Sequence, residues 1–134
     1  MHKANHIVFT TINYPTLLND YFDNLTRHNH LADTKIWVVG DLKTPVETRH
    51  LCEEVTTRGL EVVYMGIEEQ ESQGKLFPEF YSRLPFNNET RRNLGFLAAY
   101  ADGCERLISI DDDNFPTEDD FIGGHMAAGC GFDG

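Results

Sequence analysis

The sequence predicts an α/β domain, a Rossmann-like three-layer arrangement around a mainly parallel sheet of about four strands. Three observations lead there. Short apolar, β-branched runs recur along the chain: Ile7-Val8-Phe9-Thr10-Thr11, Lys35-Ile36-Trp37-Val38-Val39, Leu60-Glu61-Val62-Val63-Tyr64-Met65 and Arg106-Leu107-Ile108-Ser109-Ile110. Segments with helical spacing of apolar residues separate them. Each run ends at a polar residue or a glycine. Strands joined through helices lie parallel, because the crossover returns the chain to the same end of the sheet.

Each element has a local reason. The first run is almost continuously apolar, which suits a strand covered on both faces. Asn13-Tyr14-Pro15-Thr16 turns the chain. Leu18, Tyr21, Phe22 and Leu25 then repeat at helical spacing, with Asn19, Asp20, Asp23 and Asn24 on the other face. This helix fades near His28 to His30. The second strand ends at Gly40-Asp41. Pro45 opens a second helix, with Thr44 as its N-cap and Glu47 in its first turn. Leu51, Cys52 and Val55 share the buried face, and Arg58-Gly59 stops the helix.

After the third strand, residues 66–88 read as irregular. They hold an acidic patch (Glu68, Glu69, Glu71), the aromatics Phe77, Phe80, Tyr81 and Phe86, and a short helical turn near Pro78 to Arg83. Asn88 caps the next helix, whose apolar stripe is Leu94, Leu97, Ala98 and Ala101 and whose end is Asp102-Gly103. The fourth strand runs directly into Asp111-Asp112-Asp113-Asn114. Thr117 to Phe121 begins a short helix. The expected core covers residues 6–121, and 122–134 reads as a glycine-rich tail.

A length of 134 residues suits one domain. The chain carries 22 acidic against 11 basic residues, a formal net charge of −11. That surface repels a nucleic-acid backbone or an anionic membrane, and it is compatible with a bound divalent cation. No apolar run approaches the ~20 residues of a membrane span, and Met1 to Asn5 leads into an apolar stretch too short for a signal-peptide core. Cys52, Cys104 and Cys130 form no CxxC pair and cannot all pair within one chain. Reduced thiols in the cytoplasm are the expectation.

In a parallel sheet, ligands bind beyond the carboxyl ends of the strands, where strand order reverses. The predicted ends are Thr10-Thr11, Gly40-Asp41, Met65-Gly66 and the aspartate run. Alternation along a strand puts Asp111 and Asp113 on one side and Asp112 on the other. Two carboxylates so placed can hold Mg²⁺ or Mn²⁺, hard ions that share oxygen ligands with phosphates. The plainer alternative is a solvated acidic turn in which Asp113 or Asn114 caps the next segment. The position after a buried strand favours the ligand reading.

Arg91-Arg92-Asn93 opens a helix, where cations oppose the helix dipole. These arginines suit a phosphate, or equally a surface pair with Glu89 or the aspartates. Asp41 could accept a hydrogen bond from a base or ribose, although taken alone a turn aspartate is the commoner role. Thr10, Thr11 and Asn13 could present polar groups to a nucleotide, or simply form a strand exit. His28 and His30 share no helix face and read as surface histidines. Nothing positions His125. There is no G-x-G-x-x-G and no P-loop pattern.

A strand ending in Thr-Thr, a second ending at Asp41, a helix opening Arg91-Arg92-Asn93-Leu94-Gly95-Phe96, and then Ile110-Asp111-Asp112-Asp113 resemble the nucleotide-binding half of a GT-A type glycosyltransferase. The segment is similar to the processive and single-addition sugar transferases, and also to the reversibly glycosylated polypeptides, the UDP-arabinopyranose mutases. The resemblance runs from about Ile7 to Phe121. It implies metal-dependent binding of a nucleotide-sugar donor, a UDP-sugar in the usual case. Thr10, Thr11 and Asn13 would line the nucleoside pocket, and Asp41 would contact the base. Arg91 or Arg92 would meet the diphosphate or brace the aspartates, and Asn93 would lie near the ribose. Asp111 would approach the ribose and donor sugar, beside Asp112. Asp113, with Asp111, would ligate Mn²⁺ or Mg²⁺ in the DXD manner.

Members of that family continue well past the aspartate motif, where the acceptor site and the catalytic base reside. This sequence stops soon after it. The expectation is a portion of a transferase, completed by a C-terminal half or a second copy and inactive alone. A nucleotide-sugar mutase using the same pocket and a non-catalytic acidic interaction domain are the alternatives. A sugar-nucleotide pyrophosphorylase is disfavoured, because no glycine-rich basic loop follows the first strand. Donor sugar, acceptor and stereochemical course are not encoded in these residues.

Overall fold

The computed structural model describes residues 3–74, 92–111, 116 and 120–124. Their elements are β1 (Asn5–Thr10), α1 (Leu17–Arg27), a 3-10 turn (Leu31–Asp33), β2 (Thr34–Val39), α2 (Glu47–Arg58), β3 (Glu61–Met65), α3 (Ile67–Gly74), α4 (Arg92–Ala101) and β4 (Arg106–Ser109). The strands form one sheet in the order β3-β2-β1-β4, and every neighbouring pair is parallel. The α/β fold read from the sequence is the fold of the chain.

Alternation along the strands divides the core in two. Ile7, Phe9, Ile36, Val38, Val62, Ile108 and Ile110 face α1 and α2, and pack with Leu18, Tyr21, Leu25, Leu51, Cys52 and Val55. Val8, Trp37, Val39 and Met65 face the other way, against Leu94 and Ala99 of α4. Each large apolar side chain buried in this way contributes about 1.5–3 kcal/mol. The result is three layers, with the sheet in the middle.

α4 lies very close to the sheet. A Cβ on Gly95 would stand 2.6 Å from Val8 Cγ1 and 2.8 Å from Val39 Cγ2, so only glycine permits this approach. At the other end of α4, the Asp102 carboxylate accepts from Lys35 Nζ at 2.9 Å. That ammonium also pairs with Glu61 at 3.2 Å and sits 4.4 Å over the Trp37 ring. A nearly buried lysine is thus held by two carboxylates and an aromatic face. α4 therefore runs from the carboxyl ends of the strands down to their starts.

Three helices stop in the same way. The N–H groups of His30, Leu60 and Cys104 reach back five residues to Leu25, Val55 and Ala99. The residues before them, Asn29, Gly59 and Gly103, have positive φ. These are Schellman ends. The predicted stops at Gly59 and Gly103 hold.

Other local expectations are corrected. Thr44 does not cap α2. Val46 precedes that helix without a side-chain cap, and the Thr44 hydroxyl bonds elsewhere. The stretch after β3 is not irregular throughout, since 67–74 is helical. The reason is local: Glu69 accepts from the Gly66 N–H at 3.0 Å, half of a capping box, and Gln70 N–H donates to Gly66 O at 3.0 Å. His30 is not a simple surface histidine. Its Nε2 lies 3.3 Å from Asp120 and its Nδ1 3.5 Å from Asp33. The Gly123 N–H, then the neighbouring imidazoles of His30 and His28, hold the Asp120 carboxyl below its usual range. Packing also continues past 121. Ile122 is fully buried, and Phe121 meets Tyr21 edge-on at 5.0 Å. The turns expected near Pro78 to Arg83 and at Thr117, the cap at Asn88 and the chain beyond 124 lie outside the described residues.

Candidate functional site

From β1 the chain steps outward through β2 to β3 at one edge, then crosses back to place β4 on the other side of β1. Strand order therefore reverses between β1 and β4. In an open parallel sheet, that reversal leaves a crevice at the carboxyl rim. Val8 pairs with Ser109, and the Ile110 N–H continues the ladder to Val8 O at 3.1 Å. Carried two places on, this register sets Asp111 against Thr10. Asp111 is exposed, Thr10 is partly exposed, and α4 begins above the same rim.

Beyond β1 the chain makes a tight turn. The Thr11 hydroxyl donates to Asn13 O at 3.1 Å and accepts from the Asn13 N–H at 2.9 Å. Thr11 itself is buried, and the turn presents Ile12, Asn13 and Tyr14 to solvent. Beyond β2 a second turn is built on Asp41 and Thr44. Asp41 Oδ1 accepts from the Leu42 N–H, and the Asp41 N–H donates to Thr44 Oγ1, both at 2.7 Å. The Thr44 hydroxyl donates in turn to Thr11 O at 2.6 Å. The exposed apolar residues Ile12, Tyr14, Leu42 and Val46 all belong to these two loops.

The rim beside β3 is braced rather than open. Arg49 grips Glu69 with two parallel bonds of 3.0 Å. That bond holds the Glu69 carboxyl below its usual range and raises the Arg49 guanidinium further. The buried Gln70 amide donates to Gly40 O at 2.6 Å and Met65 O at 2.8 Å, tying β2 to β3. The Tyr64 hydroxyl passes over Gly40, where any Cβ would collide with it. Burial pushes the Tyr64 phenol up.

The structure gathers Thr10, Thr11, Asn13, Asp41 and Asp111 on one rim. Arg92 and Asn93 open the described part of α4 at that rim. Arg91, Asp112 and Asp113, and the side chains of Arg92 and Asn93, lie outside the described residues, as does His125. Among the described residues no group of three or more His, Cys, Asp and Glu is arranged to hold a metal. Cys52 and Cys104 are free thiols. Burial pushes Cys52 up to about 12, which leaves it inert at neutral pH.

Sequence reasoning passed over Thr44, Tyr64 and Gln70 as rim residues. Thr44 read as a helix cap, Tyr64 as a strand residue and Gln70 as part of an irregular stretch. The one available signal was Gly40, a glycine at the end of an apolar strand, where a neighbouring side chain needs room.

No helix of the described residues is long and apolar enough to cross a membrane. A comparison with protein-family models finds no match, and a search of curated proteins finds none either.

Proposed function

We propose that the chain is the nucleotide-sugar-binding portion of a GT-A type glycosyltransferase. It takes a UDP-sugar with Mn²⁺ or Mg²⁺, and an acceptor-binding half completes it. The observation that supports this reading is the reversal of strand order between β1 and β4, which brings Thr10 and Asp111 into register beside the start of α4. Crevices of this kind hold nucleotides in parallel α/β sheets.

In this reading the Asn13 turn and Asp41 flank the nucleoside, with Asp41 accepting from the base. The α4 N-terminus, with Arg92 and Asn93, faces the diphosphate, because helix N–H groups and guanidinium both favour anions. Asp111 and Asp113 are the oxygen donors for the cation. Asp111 is an exposed carboxylate at the rim, which suits a hard divalent ion. Such an ion supplies charge neutralisation on the departing nucleoside diphosphate. The free thiols Cys52 and Cys104 fit a reducing, cytoplasmic setting.

The test is calorimetric titration of UDP into the folded protein, with Mn²⁺ and then with EDTA. Binding with metal only, abolished by Asp113→Ala, is the expected result. Absence of binding in both conditions, or unchanged metal-dependent binding by Asp113→Ala, overturns the proposal.

A further inference from the structure

One hydroxyl joins two strand ends at this rim. Thr44 Oγ1 donates its single proton to Thr11 O, beyond β1, at 2.6 Å. It accepts from the Asp41 N–H, beyond β2, at 2.7 Å. The single proton is thus committed to Thr11, and one lone pair to the Asp41 N–H.

We infer that Thr44 is a positioning residue for the nucleoside end of the proposed donor site, setting the distance between the Thr11–Asn13 turn and Asp41. The inference rests on the donor-site reading above. Thr44 is only half-buried and lies in a loop rather than in the core. The groups it holds are the backbone of the two loops that flank the nucleoside in that reading. The Thr11 N–H still ladders to Val39 O at 3.1 Å, but between Thr11 O and the Asp41 N–H the bridge is the Thr44 side chain. A prepaid geometry of this kind raises affinity by removing the ordering cost from the binding step.

The experiment compares UDP and inorganic pyrophosphate, each with Mn²⁺, on wild type, Thr44→Val and Thr44→Ser. Valine keeps the shape and removes the hydroxyl, whereas serine keeps the hydroxyl. Thr44→Val should weaken UDP about tenfold, equivalent to about 1.4 kcal/mol, and leave pyrophosphate unchanged, because pyrophosphate has no nucleoside. Thr44→Ser should restore UDP binding. Thr44→Ala removes the same hydroxyl and should give the same selective loss, which keeps the test available if the valine variant does not fold. UDP affinity in Thr44→Val equal to wild type overturns the inference and leaves the donor-site reading standing. So does an equal loss for UDP and pyrophosphate, or a Thr44→Ala variant without selective loss. A folded wild type that binds no UDP with Mn²⁺ overturns both.

Discussion

The Trp37 indole N–H donates to His6 Nδ1 at 2.9 Å inside the closed face of the sheet. An indole nitrogen can only donate, so Nδ1 must be the acceptor and the ring proton resides on Nε2. That Nε2–H donates to Lys3 O at 3.0 Å. The pair therefore fixes one imidazole tautomer and ties β1 to β2 near their starts.

Replacing His6 by leucine leaves the buried indole without this acceptor. An unsatisfied buried donor costs about 1–3 kcal/mol. The expected outcome is an unfolding free energy lower by that amount for His6→Leu, read as a lower urea midpoint, with a shifted emission maximum. Trp37 is the chain's one tryptophan, so the emission reports this site alone. An unchanged midpoint would show that the bond contributes nothing net.

Gly95 predicts a second effect. Alanine there places a methyl group against the branched side chains of Val8 and Val39, both fully buried and unable to yield without disturbing the sheet. Overpacking of this kind costs about 1–3 kcal/mol. Gly95→Ala should lower the thermal midpoint, and Gly95→Ala with Val39→Ala should recover part of the loss by making room. Additive destabilisation in the double variant would contradict the geometry.

The Arg49–Glu69 pair predicts a pH dependence. The Arg49 bond holds the Glu69 carboxyl below its ordinary value of 4.5 in the folded chain. The unfolded chain takes up that proton first as pH falls. The pair's contribution is therefore present above 4.5 and disappears as pH falls through the lower folded value. Both side chains are substantially exposed, so water screens the bond and its contribution stays below about 1 kcal/mol. Glu69→Gln keeps an acceptor for the Gly66 N–H and removes the charge. The stability gap to wild type should be measurable at pH 7 and narrow as pH falls below 4.5. A gap that does not narrow on acidification would mean that the loss comes from capping rather than charge.

Most of the sheet was legible because its residues obey simple periodicities. Ile7, Val8 and Phe9 are apolar on both faces, as a doubly covered strand must be. The stops at Gly59 and Gly103 were legible because a helix end needs a positive φ that glycine adopts freely. α3 was missed because Ile67-Glu68-Glu69-Gln70 has no apolar stripe. Its support comes from outside the pattern, through Gly66, Arg49 and the buried Gln70 amide. The burial of Ile122 was missed for the same kind of reason. Neighbouring glycines mask a single apolar residue whose partners, on α1 and the sheet, are far away in sequence.

The candidate rim divides in the same way. Sequence alone nominates Thr10, Thr11, Asn13, Asp41 and Asp111, because polar residues that end apolar strands must emerge at one edge of a parallel sheet. It also determines the α/β class, since alternating strand and helix periods allow few other layers. The strand order is decided by tertiary structure. Nothing in the local sequence says that β4 docks against β1 rather than β3, and only that choice brings Asp111 beside Thr10. Tertiary structure likewise turns Thr44 from a helix cap into a bridge between loops. A hydroxyl bonds whichever partner the fold brings within reach, and for Thr44 that partner is Thr11 O, 33 residues away along the chain.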